Sequence, residues 1–381
     1  MKIVVFYKSY QKYGGQEKVV YELTHYLAKK GHNVVVYSYK IKDLPETDRI
    51  TVKKVHLFVP HGAIRTLLFA FFSYIKAKQL KKKDKNICIF GFGKTFYQDI
   101  YRSGGGVHKY YFKRATLKYT SIIGRFFYKV RKYLSLYHWI NIFIEYLTFK
   151  VNKPKLIIAP SEFVKKQIVD CFGFDKDRIV ILRNGVDLNR FKPSDKNIAK
   201  REFGVEDSFV FCFVSTNHRL KGLQYLLPAV KMLKTDGFDF KLLIAGSGSD
   251  KFFLKMVKRL KIEDAVVWLG KVKDIERVYN ASDVLIYPTL FDVSSNVVLE
   301  AMACGVVPIS SIYNGTSEII VEGENGFLIY DPTDSDEIKT KMRIAMESDL
   351  KRLSEKARLS LLKFPSSSVF SRIENILKEK C

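Results

Sequence analysis

Residues 290–308, LFDVSSNVVLEAMACGVVP, decide the reading of this chain. They follow an apolar run, 283–288 (DVLIYP), that reads as a buried strand. An acid stands at Asp292 and a second at Glu300. Between them come Ser294, Ser295 and Asn296, then Val297, Val298 and Leu299, and a helix signal over 299–304 ended by Gly305. The local pattern is strand, polar loop, buried helix. The three small polar residues can cap a helix start whose first N–H groups point outward. Such a terminus attracts phosphate or a hydroxyl-rich ligand. With a helix starting near Ser294, Glu300 stands about two turns along it. Two acids so placed could grip two polyol parts of one ligand, a ribose and a sugar. An ordinary helix after a loop is the plainer alternative.

The neighbouring sequence repeats the strand–helix rhythm. Strands are expected at 155–160 (KLIIAP), 178–182, 209–216, 241–248 (KLLIAGSG), 266–270, 306–310 and 326–330, with a helix at 161–172 opened by Ser161. The strand at 209–216 feeds Asn217-His218-Arg219-Leu220-Lys221-Gly222. Arg219 as a planar fork and Lys221 as a point charge could clamp a leaving diphosphate. A solvated basic turn is the alternative. KLLIAGSG ends in glycines, Gly246 first, but lacks the third glycine of a dinucleotide fingerprint, which argues against an oxidoreductase.

The first half has the same rhythm. Strands are expected at 1–7 (MKIVVFY), 33–39, 52–59 and 86–90, with a helix over 64–82. Gly14 and Gly15 open the helix after the first strand, giving a βαβ unit. Their backbone N–H groups could approach a diphosphate, or the pair could be only a tight turn. The glycine run 104–106 ends at His108, which could donate to a sugar hydroxyl or sit on a flexible surface loop.

The chain has 381 residues, 47% of them hydrophobic, enough for two or three domains. Its net charge is +26, unevenly spread. Residues 1–150 hold 29 Lys and Arg against 8 Asp and Glu; the remaining 231 hold 36 against 31. The first half therefore faces something anionic. Within it, 109–150 interleaves cations with aromatic rings, and its only acid is Glu145. Lys109, Lys113, Arg114, Lys118, Arg125, Lys129, Arg131 and Lys132 are expected to face anionic headgroups from an interfacial helix pair. Packing on its own domain is the second reading and nucleic acid the third, without any nucleic-acid-binding signature. Cys88, Cys171, Cys212, Cys304 and Cys381 are scattered and read as reduced core thiols of a cytoplasmic protein. No leader peptide is expected before the first strand. The longest mostly apolar run, 67–75, is too short to span a bilayer.

The pattern of acid, seven residues, Glu, then Ala-Met-Ala-x-Gly resembles the donor-site motif of GT4-type retaining glycosyltransferases. Asn184-Gly-Val-Asp187 followed by Phe191-Lys-Pro193 resembles the same family. In the first half, Gly14-Gly15, 91–94 and the basic insert look most like bacterial lipopolysaccharide-core glucosyltransferases. The resemblance implies an α/β protein of the GT-B fold, two Rossmann-like domains whose parallel sheets face an interdomain cleft. It implies an acceptor-side domain over 1–160 with the insert at 109–150. A nucleotide-sugar domain follows over 161–364, and a terminal helix over 365–381 crosses back.

The resemblance also implies a retaining hexosyltransferase that moves a sugar such as glucose from a UDP donor to a glycan or glycolipid hydroxyl, at the inner face of the cell membrane. His108, Arg219, Lys221 and Asp292 would act in catalysis. Gly14, Gly15, Gly246, Lys271, Val272, Ser294, Ser295, Asn296, Val297 and Glu300 would join Arg219, Lys221 and Asp292 in holding the donor, with base binding near 270–272. The family usually has Glu where this chain has Asp292, and a longer spacing between its Arg and Lys. Two Asp-x-Asp triplets, 175–177 and 334–336, sit where capping is the ordinary role, so no metal and no cofactor are expected. A nucleotide-sugar epimerase and a non-catalytic glycan- or lipid-binding protein are the competing readings.

Overall fold

The computed structural model of the protein describes residues 1–248 and 250–381. Among the described residues, fifteen strands form two large sheets and one small one. They are β1 (Lys2–Phe6), β2 (Ser9–Tyr10), β3 (Asn33–Ser38), β4 (Lys40–Ile41), β5 (Ile50–Lys54), β6 (Cys88–Phe92), β7 (Ile100–Arg102), β8 (Leu156–Ala159), β9 (Ile179–Ile181), β10 (Val210–Ser215), β11 (Lys241–Gly246), β12 (Val266–Gly270), β13 (Val284–Tyr287), β14 (Val307–Ser311) and β15 (Phe327–Ile329).

The first sheet has the order β5-β3-β1-β6-β7-β8-β9 and the second β12-β11-β10-β13-β14-β15; β2 pairs only with β4. Among the described residues every ladder in both large sheets is parallel. A parallel pair needs a crossover, and helices supply it on both faces. The strands are then covered twice, which is why they read as continuous apolar runs. All six residues of β10 are buried.

Contacts divide the chain into two compact units. The first comprises Met1–Phe112, Phe127–Arg183 and Ser367–Cys381; the second comprises Lys113–Phe126 and Asn184–Ser366. The first unit thus runs past residue 160, because β9 pairs with β8 and takes the helix Glu162–Phe172 with it. That helix is capped at both ends, and Ser161 is the start its sequence suggests. Ser161 accepts from the Val164 N–H, and Gly173 turns left-handed at φ 56°. The basic insert is not one piece either, since 113–126 groups with the second unit. Strand β5 falls at 50–54, slightly before the expected 52–59. The three-residue β7 was not anticipated, being too short to show a period.

The last helix, Ser366–Lys380, buries Val369, Phe370, Ile373 and Leu377 in the core of the first unit. His32 Nε2 lies 3.0 Å from the Glu374 carboxylate of that helix. Cys381 forms a disulfide with Cys88 of β6. This corrects the reading of five reduced thiols: the returning helix places residue 381 beside a strand 293 positions earlier, a pairing that spacing does not reveal. Cys171, Cys212 and Cys304 are free, and Cys212 and Cys304 are buried. No helix among the described residues is long and apolar enough to cross a membrane.

Candidate functional site

In the second sheet, strand order reverses between β10 and β13, which are neighbours although two strands separate them in sequence. Loops leaving such a switch point form the ligand crevice of doubly wound sheets. The loop after β10 carries Lys221 and the loop after β13 carries Asp292, and the two side chains meet there. Lys221 Nζ donates to Asp292 Oδ2 at 2.5 Å and to the Phe291 carbonyl at 3.4 Å. Tyr287, the last residue of β13, donates its hydroxyl to the same Oδ2 at 3.0 Å. The lysine and aspartate side chains are 14% and 17% exposed, so the pair is shielded yet reachable. Burial alone would lower the Lys221 pKa. The charge of Asp292 and the Tyr287 hydroxyl outweigh it and hold the pKa above the ordinary lysine value.

The acid loop is pinned through its backbone. Asp292 N–H donates to the Tyr313 carbonyl at 2.9 Å, and the Asp292 carbonyl accepts from Gly315 at 3.0 Å. Buried Asn314 accepts from the N–H groups of Ser295 and Thr316 and donates to Ser310. Thr316 donates to the Ser295 carbonyl. The helix runs over Asn296–Ala303, starting two residues later than expected. Glu300 therefore stands little more than one turn along it, not two. Ser295 occupies the cap position without a side-chain capping bond. Asn184 steadies this start from outside, donating to the Ser294 carbonyl and to Asn296 Oδ1. Val297 packs half-buried against the core. Glu300 accepts from the buried Tyr279 hydroxyl at 3.2 Å.

Other expected donor residues are placed apart from this pair. Arg219 lies over the Phe252 ring at 3.9 Å and the Tyr119 ring at 5.8 Å, on different partners from Lys221. Gly246 ends β11 at φ 119°, where a Cβ would fall 1.7 Å from the Ser215 carbonyl. That close approach requires glycine with or without a ligand. Lys271 is exposed and Val272 half-buried, just after β12 at the edge of the sheet.

The first unit carries its own cluster. Gly14 has φ 114°, and Gly15 is the cap position of the helix Gln16–Lys29, with open space where a Cβ would be. Gln16 fills the space beside Gly104, so the two glycine segments meet. His108 begins the helix His108–Ala115 and does not sit on a surface loop. Its N–H donates to Glu145, whose carboxylate also accepts from Lys94 at 2.8 Å. His108 Nε2 lies 3.0 Å from His138 Nδ1. Burial, then the charge of Lys94, the His138 ring and Lys132, lowers the His108 pKa to about 3.

The eight cations of the insert divide. Lys109, Lys113, Lys129 and Arg131 are exposed, and Lys132 lies 5.7 Å over the Tyr128 ring. Arg114, Lys118 and Arg125 do not face outward as expected. Arg114 donates to the Leu290 carbonyl and Arg125 to the Tyr119 carbonyl, while burial lowers the Lys118 pKa. They lie in the stretch that packs with the second unit, where a cation finds carbonyls and rings. Part of the insert also packs internally. Ile140 and Ile144 of the helix Leu136–Tyr146 join Ala63 and Ala70 of the helix Gly62–Lys83 in one core. Within the insert, Ile122, Ile123, Phe126, Phe127, Leu134 and Trp139 stay more than half exposed.

Four residues that the sequence reading gave no site role shape the second-unit site: Tyr279, Tyr287, Asn314 and Asn184. Tyr287 could have been found as the last residue of a strand at a switch point. The others act across loops and leave no local signal. Both Asp-x-Asp triplets cap helices: Asp175 accepts from Asp177, and Asp334 from Asp336 and Glu337.

Comparison with known proteins bears on both halves. Residues 13–190 match the family Glycosyltransferase Family 4, and residues 195–360 match Glycosyl transferases group 1. A D-inositol 3-phosphate glycosyltransferase of Pseudarthrobacter chlorophenolicus is 33% identical over 45% of this chain and 43% of its own length. The N-acetyl-alpha-D-glucosaminyl L-malate synthase of Bacillus anthracis is 27% identical over 60% and 61%. The chain thus spans about half the length of the curated relatives it matches. Among solved structures, WaaG, a glycosyltransferase involved in lipopolysaccharide biosynthesis, superposes with a TM-score of 0.81 at 17% identity, covering 98% of this chain and 99% of WaaG. Anabaena HepE in complex with UDP-glucose gives 0.71 at 19% identity, covering all of both chains. These likenesses show the GT-B fold. With two glycosyltransferase families covering its two halves in succession, the chain belongs to the GT4-type group 1 glycosyltransferases.

Proposed function

We propose that the protein is a retaining hexosyltransferase. It moves a sugar such as glucose from a UDP donor to a hydroxyl of a membrane-associated envelope glycan or glycolipid, such as a lipopolysaccharide core. The observation that carries this reading is the shielded Lys221–Asp292 pair at the switch point of the second sheet. A lysine held charged in a partly dry site is suited to stabilise negative charge as it develops on the leaving β-phosphate. Asp292 accepts from sugar hydroxyls, and Glu300 from the ribose diol. Arg219 adds charge at the same turn, and the start of the helix Asn296–Ala303 adds its N–H groups. Positive charge then comes from the chain itself, without a resident metal or cofactor. The leaving phosphate serves as base for attack from its own face, which retains the anomeric configuration. His108, kept neutral, is suited to hydrogen-bond a sugar hydroxyl. In the first unit, the backbone N–H groups at Gly14 and Gly15 are suited to approach a phosphate.

Peripheral attachment at the inner face of the cell membrane fits the exposed apolar residues between 122 and 139 and the cations Lys109, Lys113, Lys129 and Arg131 beside them. The test is nucleotide release from UDP-, GDP- and ADP-sugars, with and without envelope lipid extract, for wild type and Glu300→Gln. Consumption of one donor only with lipid, and its loss in the variant, supports the reading. No binding or turnover of any donor by wild type sinks it and favours a binding protein.

A further inference from the structure

Residues 113–126 belong to the second unit, although the chain on both sides of them belongs to the first. They are tied there by Tyr225, whose hydroxyl donates to the Leu117 carbonyl at 2.7 Å, and by Leu117 packed against the core. From this segment Arg114 reaches the acid loop. Its Nε donates to the Leu290 carbonyl at 3.0 Å, and its guanidinium carbon lies 3.3 Å from the centre of the Tyr313 ring. Both contacts bracket Asp292. Leu290 is two residues before it and is itself held by the Leu220 carbonyl, from the turn that carries Lys221. Tyr313 supplies the carbonyl that holds the Asp292 N–H. The chain of contacts runs Leu220, Leu290, Arg114, Tyr313, Asp292.

A half-buried guanidinium is an expensive way to fill space. Burial lowers the Arg114 pKa, and its Nη2 is shielded with no hydrogen-bond partner. A methionine would pack there at less cost if packing were all that mattered. Arg114 instead lays a charged planar fork on a ring face while an in-plane N–H holds a carbonyl, which neither Met nor Lys can do. We infer that Arg114 is a positioning residue for Asp292, so that a residue of the basic aromatic segment sets the sugar-facing carboxylate of the donor site. This rests on the reading of 290–308 as the sugar end of that site.

The experiment compares wild type with Arg114→Met and Arg114→Lys. Kd is measured for UDP and for UDP-glucose, with kcat and KM for the UDP-sugar that wild type consumes. A misplaced carboxylate should weaken UDP-glucose binding or raise the donor KM about 10- to 100-fold. UDP alone, which lacks the sugar, should bind within about twofold of wild type. Lysine can reach the carbonyl but cannot lie flat on the ring, so it should restore only part. Should Arg114→Met fail to fold, Tyr313→Leu removes the ring from the other side and should give the same split. Equal losses for UDP and UDP-glucose, or no change in a folded variant, overturn the inference while leaving the donor site standing. A wild type that binds no nucleotide sugar overturns both together.

Discussion

The acid loop at 290–308 and the basic insert at 109–150 both stand out in the sequence, but for different reasons. The acid loop stands out by order: strand, acid, small polar residues, helix, second acid. The insert stands out by composition. In the structure, order translates into position and composition does not. Asp292 lies at the carboxyl end of a central strand, where the topology puts a ligand crevice. The insert's cations share a charge but not a direction; three of eight turn onto protein. Position in a parallel sheet constrains what a residue can do. Charge content constrains only what the surface as a whole prefers.

The sharpest test of the first half of that contrast is Lys221→Ala. It removes the cation that Asp292 and the Tyr287 hydroxyl both face. Nucleotide release should fall about 10²- to 10³-fold, the typical cost of losing one preorganised charge-stabilising donor. Retained turnover in a folded variant would mean that position at the switch point does not carry the chemistry. A smaller effect is expected at Asn314→Ala. The N–H groups of Ser295 and Thr316 would lose their shared buried acceptor. At about 1–3 kcal/mol for each of the two stranded groups, the second unit should lose about 2–6 kcal/mol, read from the midpoint of denaturant unfolding. An unchanged midpoint would show that the loop does not need this brace.

The insert is tested by direction. Lys129→Glu with Arg131→Glu should weaken binding to anionic phospholipid vesicles by about 30-fold or more, taking about 1 kcal/mol per lost cation. Affinity for neutral vesicles should hardly move. Equal loss on both vesicle types, or none on either, would remove these cations from the membrane reading.

How much could be read in advance follows the same line. The two parallel sheets were legible because strands buried on both faces are near-continuous apolar runs. Ser161 marked the start of its helix through chemistry local to a few residues. The lysine and the acid of the site were legible from their places after strands. Contacts made across the fold were not. Nothing near Asn314 announces that it holds Ser295, and nothing near Cys381 announces Cys88. The site of Glu300 shifted by about half a turn because a run of Ser-Ser-Asn offers several equivalent starting points for a helix.

The two units also solve opposite protonation problems, and the smallest predicted effect follows from that. Lys221 is buried but faces Asp292, so it keeps its proton. His108 is partly buried beside Lys94, and the carboxylate of Glu145 is engaged by Lys94 and by the His108 N–H. The ring therefore stays neutral down to about pH 3. The unfolded chain protonates the same histidine near 6.5, so between these values the unfolded state holds the extra proton. Stability of the first unit should be level above about pH 6.5 and fall as pH drops below it. His138, also lowered by burial and Lys132, adds to the same slope. In His108→Asn the fall in melting temperature between pH 7 and pH 5 should be smaller than in wild type, and the two should run parallel above pH 7. Shared carboxylate titrations cancel in that difference. A variant whose melting temperature falls as steeply as that of wild type would mean that His108 takes up its proton in the folded state. The neutral hydrogen-bonding role assigned to it would then fail.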